Sequence, residues 1–152
     1  MDLTQKLSPH FALSEFLRSQ VASRLGIDMT PDQDVVDSLR ELCINVLEPL
    51  RSELARPIVI SSGYRPPRLN KAIGGASHSQ HMVGEAADLI VPGMTVRAVW
   101  DYVRKSDLPF DQVIEEFDGW THVSYRAPCR GEVLVATRDD SGVHYTRAGR
   151  ND

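Results

Sequence analysis

Apolar positions mark out the longest element first. Val35, Val36, Leu39, Leu42, Cys43, Val46, Leu47, Leu50 and Leu54 recur at steps of three and four, the spacing of one buried helical face. Thr30-Pro31-Asp32-Gln33 supplies the start, with Thr30 as cap, Pro31 in the first helical position and Gln33 closing a capping box. Pro49 lies inside the run and removes an intrahelical bond, so the helix is predicted to kink or split near Val46. A shorter helix is predicted upstream, from a cap at Ser14 to Arg24, stopped by Gly26.

After Pro57 the pattern changes to that of strands. Ile58-Val59-Ile60-Ser61-Ser62 is a β-branched run and reads as a buried strand. It runs into the turn-rich Gly63-Tyr64-Arg65-Pro66-Pro67, and one helical turn is expected around Leu69 to Ile73. Ala86 to Val91 reads as a second strand, ended by Pro92-Gly93; Thr95 then caps a helix through Lys105 with Val96, Val99, Trp100 and Val103 inward. Asp111 to Phe117 and Trp120 to Tyr125 form a predicted hairpin through a two-residue Asp118-Gly119 turn, which sets Phe117 opposite Trp120. A last hairpin pairs Val133 to Thr137 with Val143 to Thr146. No repeat or linker interrupts the pattern, so residues 1–152 are expected to form one domain. Helices come first and hairpins follow, which predicts an α+β fold with N-terminal helices packed on a central antiparallel sheet.

Composition narrows the function classes. A net charge of -4 leaves no basic stripe for a phosphate backbone, so dedicated nucleic-acid binding is disfavoured. No apolar run approaches the length of a membrane span. Met1 to Lys6 lacks a basic segment followed by an apolar one, so no secretion signal is predicted and the chain is expected to be cytoplasmic when made. Cys43 and Cys129 are scattered and read as free thiols. Any metal site must therefore use histidine and carboxylate.

Candidate chemistry gathers in Ser79-Gln80-His81-Met82-Val83-Gly84-Glu85-Ala86-Ala87-Asp88. Imidazole and carboxylate are common zinc donors, and Gly84, Ala86 and Ala87 leave room for His81 and Asp88 to approach. Alone, such a pair also describes a solvated loop. A third donor is needed, and His122 is available; on a strand it shares a face with Trp120 and Ser124, though packing would explain it as well. Glu116, on the preceding strand, is a carboxylate near enough to serve a metal-bound water, or else an ordinary surface residue. Arg65, in a proline-stiffened loop, could bind a substrate carboxylate or an oxyanion, or simply form a salt bridge. His10, His78 and His144 are read as non-ligating.

Taken in order, Ser61-Ser62-Gly63-Tyr64-Arg65, then Ser79-x-His81-x-x-Gly84-x-Ala86-x-Asp88, then Trp120-x-His122 resemble the zinc D-alanyl-D-alanine carboxypeptidase family. That family includes D,D-dipeptidases and phage endolysin peptidases, and shares its fold with the hedgehog signalling domain. The likeness runs from residue 9 to residue 147 and is greatest to the compact phage and prophage branch. It implies zinc, one ion per chain, held by His81, Asp88 and His122, with Arg65 catalytic and substrate-binding, and Ser79 and Trp120 also contacting substrate. Many members carry the catalytic acid three residues before the last histidine, where this chain has Gly119; Glu116 is the expected base and Asp118 the runner-up. Gln112 is the expected residue orienting a ligand. The implied activity is metal-assisted hydrolysis of peptidoglycan stem peptides, by carboxypeptidase or endopeptidase cleavage, acting on the cell wall after release if the chain is phage-encoded. The competing reading is a zinc-binding structural or recognition module without catalysis. Oligomeric state has no signature in the sequence.

Overall fold

Gly26 and Ser19 bound the first regular helix. The computed structural model describes every residue from Met1 to Asp152. Strands β1 (Lys6–Ser8) and β2 (Phe11–Ala12) pair at the N-terminus, and a 3-10 turn at Leu13–Phe16 follows. The helix expected from Ser14 to Arg24 is shorter: α1 spans Gln20–Leu25, with the Ser19 hydroxyl accepting from the Ala22 N–H and Gly26 left-handed at its end. Leu13 and Phe16 are fully buried in the 3-10 turn, which seats both in the core before α1 begins.

The long apolar stripe folds as α2 (Gln33–Leu42), a π-helical stretch (Cys43–Leu47) and α3 (Glu48–Leu54). Asp32 rather than Thr30 caps α2, because its carboxylate accepts from the Val35 N–H at 2.9 Å. The α-helical run is interrupted around Val46 as expected, by a π turn before Pro49 that keeps the chain helical throughout. The widened turn, with the Glu48 N–H bonded to the Cys43 carbonyl, absorbs the missing donor, and Leu42, Cys43, Val46, Leu47 and Leu50 all stay fully buried.

Strands β3 (Val59–Ser62), β4 (Ala86–Ile90), β5 (Gln112–Glu116), β6 (Trp120–Ser124), β7 (Glu132–Asp139) and β8 (Gly142–Arg147) build the central sheet in the order β3-β4-β6-β5-β7-β8. Short α4 (Pro67–Ala72) follows β3, and α5 (Val96–Lys105), capped by Thr95 as expected, follows β4. Every pair is antiparallel except β5 with β7, which is parallel because the chain crosses from the end of β6 to the far side of β5. Mixed α+β architecture with helices against one sheet is therefore present, with one departure from an all-antiparallel sheet. No helix is long and apolar enough to cross a membrane.

The sheet has two distinct faces. Ala87, Leu89, Val113, Val123 and Val133 point to the helices and join Leu39, Val46, Val99, Trp100 and Val103 in one core. On the other face, registered neighbours form rows: Asp88, His122, Ile114 and Leu134 in one, Trp120, Glu116, Ala136 and Tyr145 in the next. The β5–β6 register differs from expectation. Glu116, not Phe117, stands opposite Trp120, so the turn has three residues, with Phe117 and Asp118 left-handed at φ 57° and 55°. The Gly119 N–H closes it on the Glu116 carbonyl at 2.8 Å.

Gly84 ends a 3-10 turn at Gln80–Val83 in the left-handed region, φ 77°, and a Cβ there would come within 2.6 Å of the Val35 carbonyl oxygen on α2. Gly84→Ala combines backbone strain with this clash, and is expected to destabilise the fold by about 1–3 kcal/mol. Urea unfolding of the variant beside wild type measures this.

Candidate metal centre

Ser79 caps the 3-10 turn that carries His81, its hydroxyl accepting from the His81 N–H at 3.2 Å. The turn docks on the loop after β3 by backbone, Arg65 N–H to the His81 carbonyl at 2.9 Å, and by side chain, with His81 Nδ1 2.7 Å from the Gly63 carbonyl. A carbonyl can only accept, so Nδ1 carries a proton and Nε2 is the inward-facing nitrogen, which in the neutral ring presents a lone pair. Register does the rest: Asp88 on β4 lies directly opposite His122 on β6.

His81 Nε2 and His122 Nδ1 each lie 3.2 Å from Asp88 Oδ1, and the two rings stand edge to face at 5.0 Å. All three side chains are buried, and one ligand atom from each falls within 4.8 Å of the others. Donors about 2.0–2.1 Å from a tetrahedral zinc stand about 3.3 Å apart, which the two separations from Asp88 match. His81 Nε2 makes no hydrogen bond despite its closeness to the carboxylate. A buried lone pair facing an anionic oxygen is repulsive unless a cation lies between them. On these grounds the trio could hold a metal.

Arg65 sits behind the trio. Its Nη2 donates to Asp88 Oδ2 at 3.0 Å and its Nε to the Ser62 hydroxyl at 3.2 Å, so both carboxylate oxygens of Asp88 are engaged. Burial alone would raise the Asp88 carboxyl; a positive charge between it and His81, whether a proton on Nε2 or a metal ion, together with the His122 contact outweighs burial and holds Asp88 well below the usual carboxylate range. Glu116 is shifted the other way. Burial, reinforced by the negative charge of Asp88, pushes its carboxyl up. Its Oε1 is 3.6 Å from His122 Nδ1, on the open side of the trio.

These groups face a cavity of about 620 Å³ that takes in Arg65, Ser79, His81, Glu116, Trp120 and His122. Trp120 packs edge to face on Phe117 at 5.9 Å, and its buried indole N–H has no partner. Asp118 is exposed in the turn and does not line the cavity. Gln112 orients no ligand; it donates to Glu132 at 2.7 Å, and the groups that hold the donors are instead Gly63 and Arg65. His10 pairs with Glu48 and His144 with Asp139, away from the site, while His78 reaches the cavity edge bonded to Ser77. Cys43 is buried and Cys129 exposed, both free.

A family model described as peptidase M15 matches residues 9–124, three quarters of the chain and all of the donor trio. The chain belongs to the peptidase M15 family. Peptidases of this family are zinc-dependent, and the buried His81, Asp88 and His122 are the residues here that could hold the metal. No match to a curated protein was found. The family span ends at Ser124, so β7 and β8 contribute to the cavity from outside it.

Sequence reasoning missed two groups of site residues. Leu134, Arg138, Val143 and Tyr145 line the cavity because β7 pairs in parallel with β5, a long-range pairing that no local pattern encodes. Gln80 donates to Asp111 at 3.0 Å, and Asp111 in turn accepts from Arg130 Nη2 at 2.8 Å, tethering the His81 turn to the start of β5. The neighbour relation of Gln80 to His81 was the only local signal.

Two measurements test the site. Zinc titration is expected to saturate at one ion per chain, and His122→Ala to remove tight binding. Burial raises the Asp111 carboxyl, but hydrogen bonds from Arg130 and Gln80 prevail and hold it below the ordinary value. A depressed carboxyl contributes stability above the unfolded value of about 3.9 and loses it as pH falls through the lower folded value. Asp111→Asn should therefore cost about 1–3 kcal/mol at neutral pH and flatten the acid limb of a melting-temperature profile.

Proposed function

We propose that this chain is a zinc peptidase that hydrolyses peptide bonds of peptidoglycan stem peptides. The observation that carries the reading is the placement of Glu116, a carboxylate with a raised pKa 3.6 Å from His122, in a cavity beside three metal-competent donors. Family membership supports a peptide substrate. The likeness to phage and prophage lysins extends the proposal to a cell-wall lytic role.

His81, Asp88 and His122 would hold the zinc, two neutral donors and one anion. Zinc, when bound, polarises the scissile carbonyl and lowers the pKa of the attacking water toward about 7. Glu116 takes the proton from that water and returns it to the leaving amine, a role that suits a carboxyl raised toward neutral pH. Arg65 spends two of its five N–H donors on Asp88 and Ser62, leaving others for the developing oxyanion or a substrate carboxylate. In this reading Ser79 acts first through His81, whose backbone it fixes, and Trp120 offers an apolar face to the peptide. Glu116 and Arg65 at the donor trio favour catalysis over an inert zinc-binding module.

Digestion of defined muropeptides, with products weighed by mass spectrometry, tests the proposal and identifies the bond. Chelation is expected to abolish turnover and zinc to restore it. Glu116→Gln should lower kcat by about 10²–10⁴ while zinc content is unchanged. Wild-type turnover by that variant would move the base elsewhere.

A further inference from the structure

The cavity wall formed by the β7–β8 hairpin has a composition unlike the donor end. Ile114, Leu134 and Ala136 make a small apolar cluster on the open face of the sheet, with Phe117 packed against it. Arg138, one row further along, lays its guanidinium over the Phe117 ring at 4.1 Å. Phe117 is held there by a left-handed backbone, φ 57°, unfavourable for a non-glycine residue, which places its ring between Trp120 and Arg138. The other two arginines at the cavity are ion-paired, Arg65 with Asp88 and Arg130 with Asp111. Arg138 is exposed and forms no ion pair. Tyr145, opposite Ala136 and so one strand beyond it from Glu116, closes the same wall.

We propose that Arg138, stacked on Phe117 over this apolar floor, forms a specificity subsite for a carboxylate on the bound peptide, away from the bond that is cut. A planar guanidinium held by a ring is pre-organised for bidentate carboxylate binding, and an unpaired one at a cavity is free to do so. Charge supports the assignment: with Arg65 paired to Asp88 and Arg130 to Asp111, Arg138 is the cavity arginine without a carboxylate partner. Arg138 lies four residues along β7 from Leu134, the registered row of His122, which is about 13 Å at 3.3 Å per residue. Allowing for the reach of the arginine side chain, the recognised carboxylate sits about two to four residues from the cleaved bond. The subsite rests on the peptidase reading for its location; Arg138, Leu134 and Ala136 lie on β7 outside the family span, while Ile114 and Phe117 lie within it.

The test uses two synthetic peptides, L-Ala-D-Glu-L-Lys-D-Ala-D-Ala with the free α-carboxylate on D-glutamate and its carboxamide counterpart. Calorimetry with zinc-loaded Glu116→Gln measures binding of each without turnover, and the parent chain is assayed for cleavage of both. Binding of the acid is expected to be about tenfold tighter than of the amide. Adding Arg138→Gln should erase that difference and Arg138→Glu should invert it, with zinc content and melting temperature unchanged. Equal affinity for the two peptides, or a preference that survives Arg138→Gln, overturns the subsite. Loss of cleavage alone, with the binding preference and its dependence on Arg138 intact, overturns the peptidase reading and leaves the subsite standing.

Discussion

The buried carboxylate of Asp88 is the charge around which the site face is arranged. An ionised group taken out of water costs several kcal/mol unless it is paired and hydrogen-bonded. Asp88 meets that demand with His81 and His122 on one oxygen and Arg65 on the other. Those partners come from a 3-10 turn, a neighbouring strand and the loop after β3, so four separate pieces of chain must arrive together. A one-residue slip of β4 against β6 would turn Asp88 into the helix-side core and bring Ala87 to the site. The electrostatic requirement and the hydrophobic alternation of β4 therefore select the same register.

From that register the rest of the open face follows. Period two on each strand carries Glu116 and Trp120 to the row beside His122, and the parallel β5–β7 pair continues the rows into the C-terminal hairpin. The two ends of the cavity thus differ in character. One is a cluster of buried ionisable groups inside the family span; the other is a partly apolar wall whose β7–β8 residues lie outside it.

Much of this was legible in the sequence, for physical reasons that vary by element. The α2–α3 stripe, the β4 strand and the helix capped by Thr95 were readable because burial imposes periodicity. The His81, Asp88, His122 set was readable through motif likeness, since nothing in an isolated His-x6-Asp spacing brings in a partner 34 residues beyond Asp88. What escaped depends on competition between near-equal local options. Asp32 outcompetes Thr30 as a cap, and Phe117 accepts a left-handed backbone that a two-residue Asp-Gly turn would have avoided. Crossover to a parallel strand is a global choice, and it alone determines that Arg138 and Tyr145 reach the cavity.

The π-helical stretch before Pro49 has a consequence for how this chain tolerates changes in length. A π turn holds one residue beyond the α-helical count, so the faces before and after it stay in phase as though that residue had been looped out. Ile44, half-exposed, and Asn45 are the members of the stretch that the core does not use. In an unbroken α-helix the Pro49 ring would press on the carbonyl of Asn45, four residues back. The widened turn relieves that pressure, so the surplus residue and the proline form a matched pair. Shortening the helix by one residue here would be harmless to packing only in a chain that had already lost its proline.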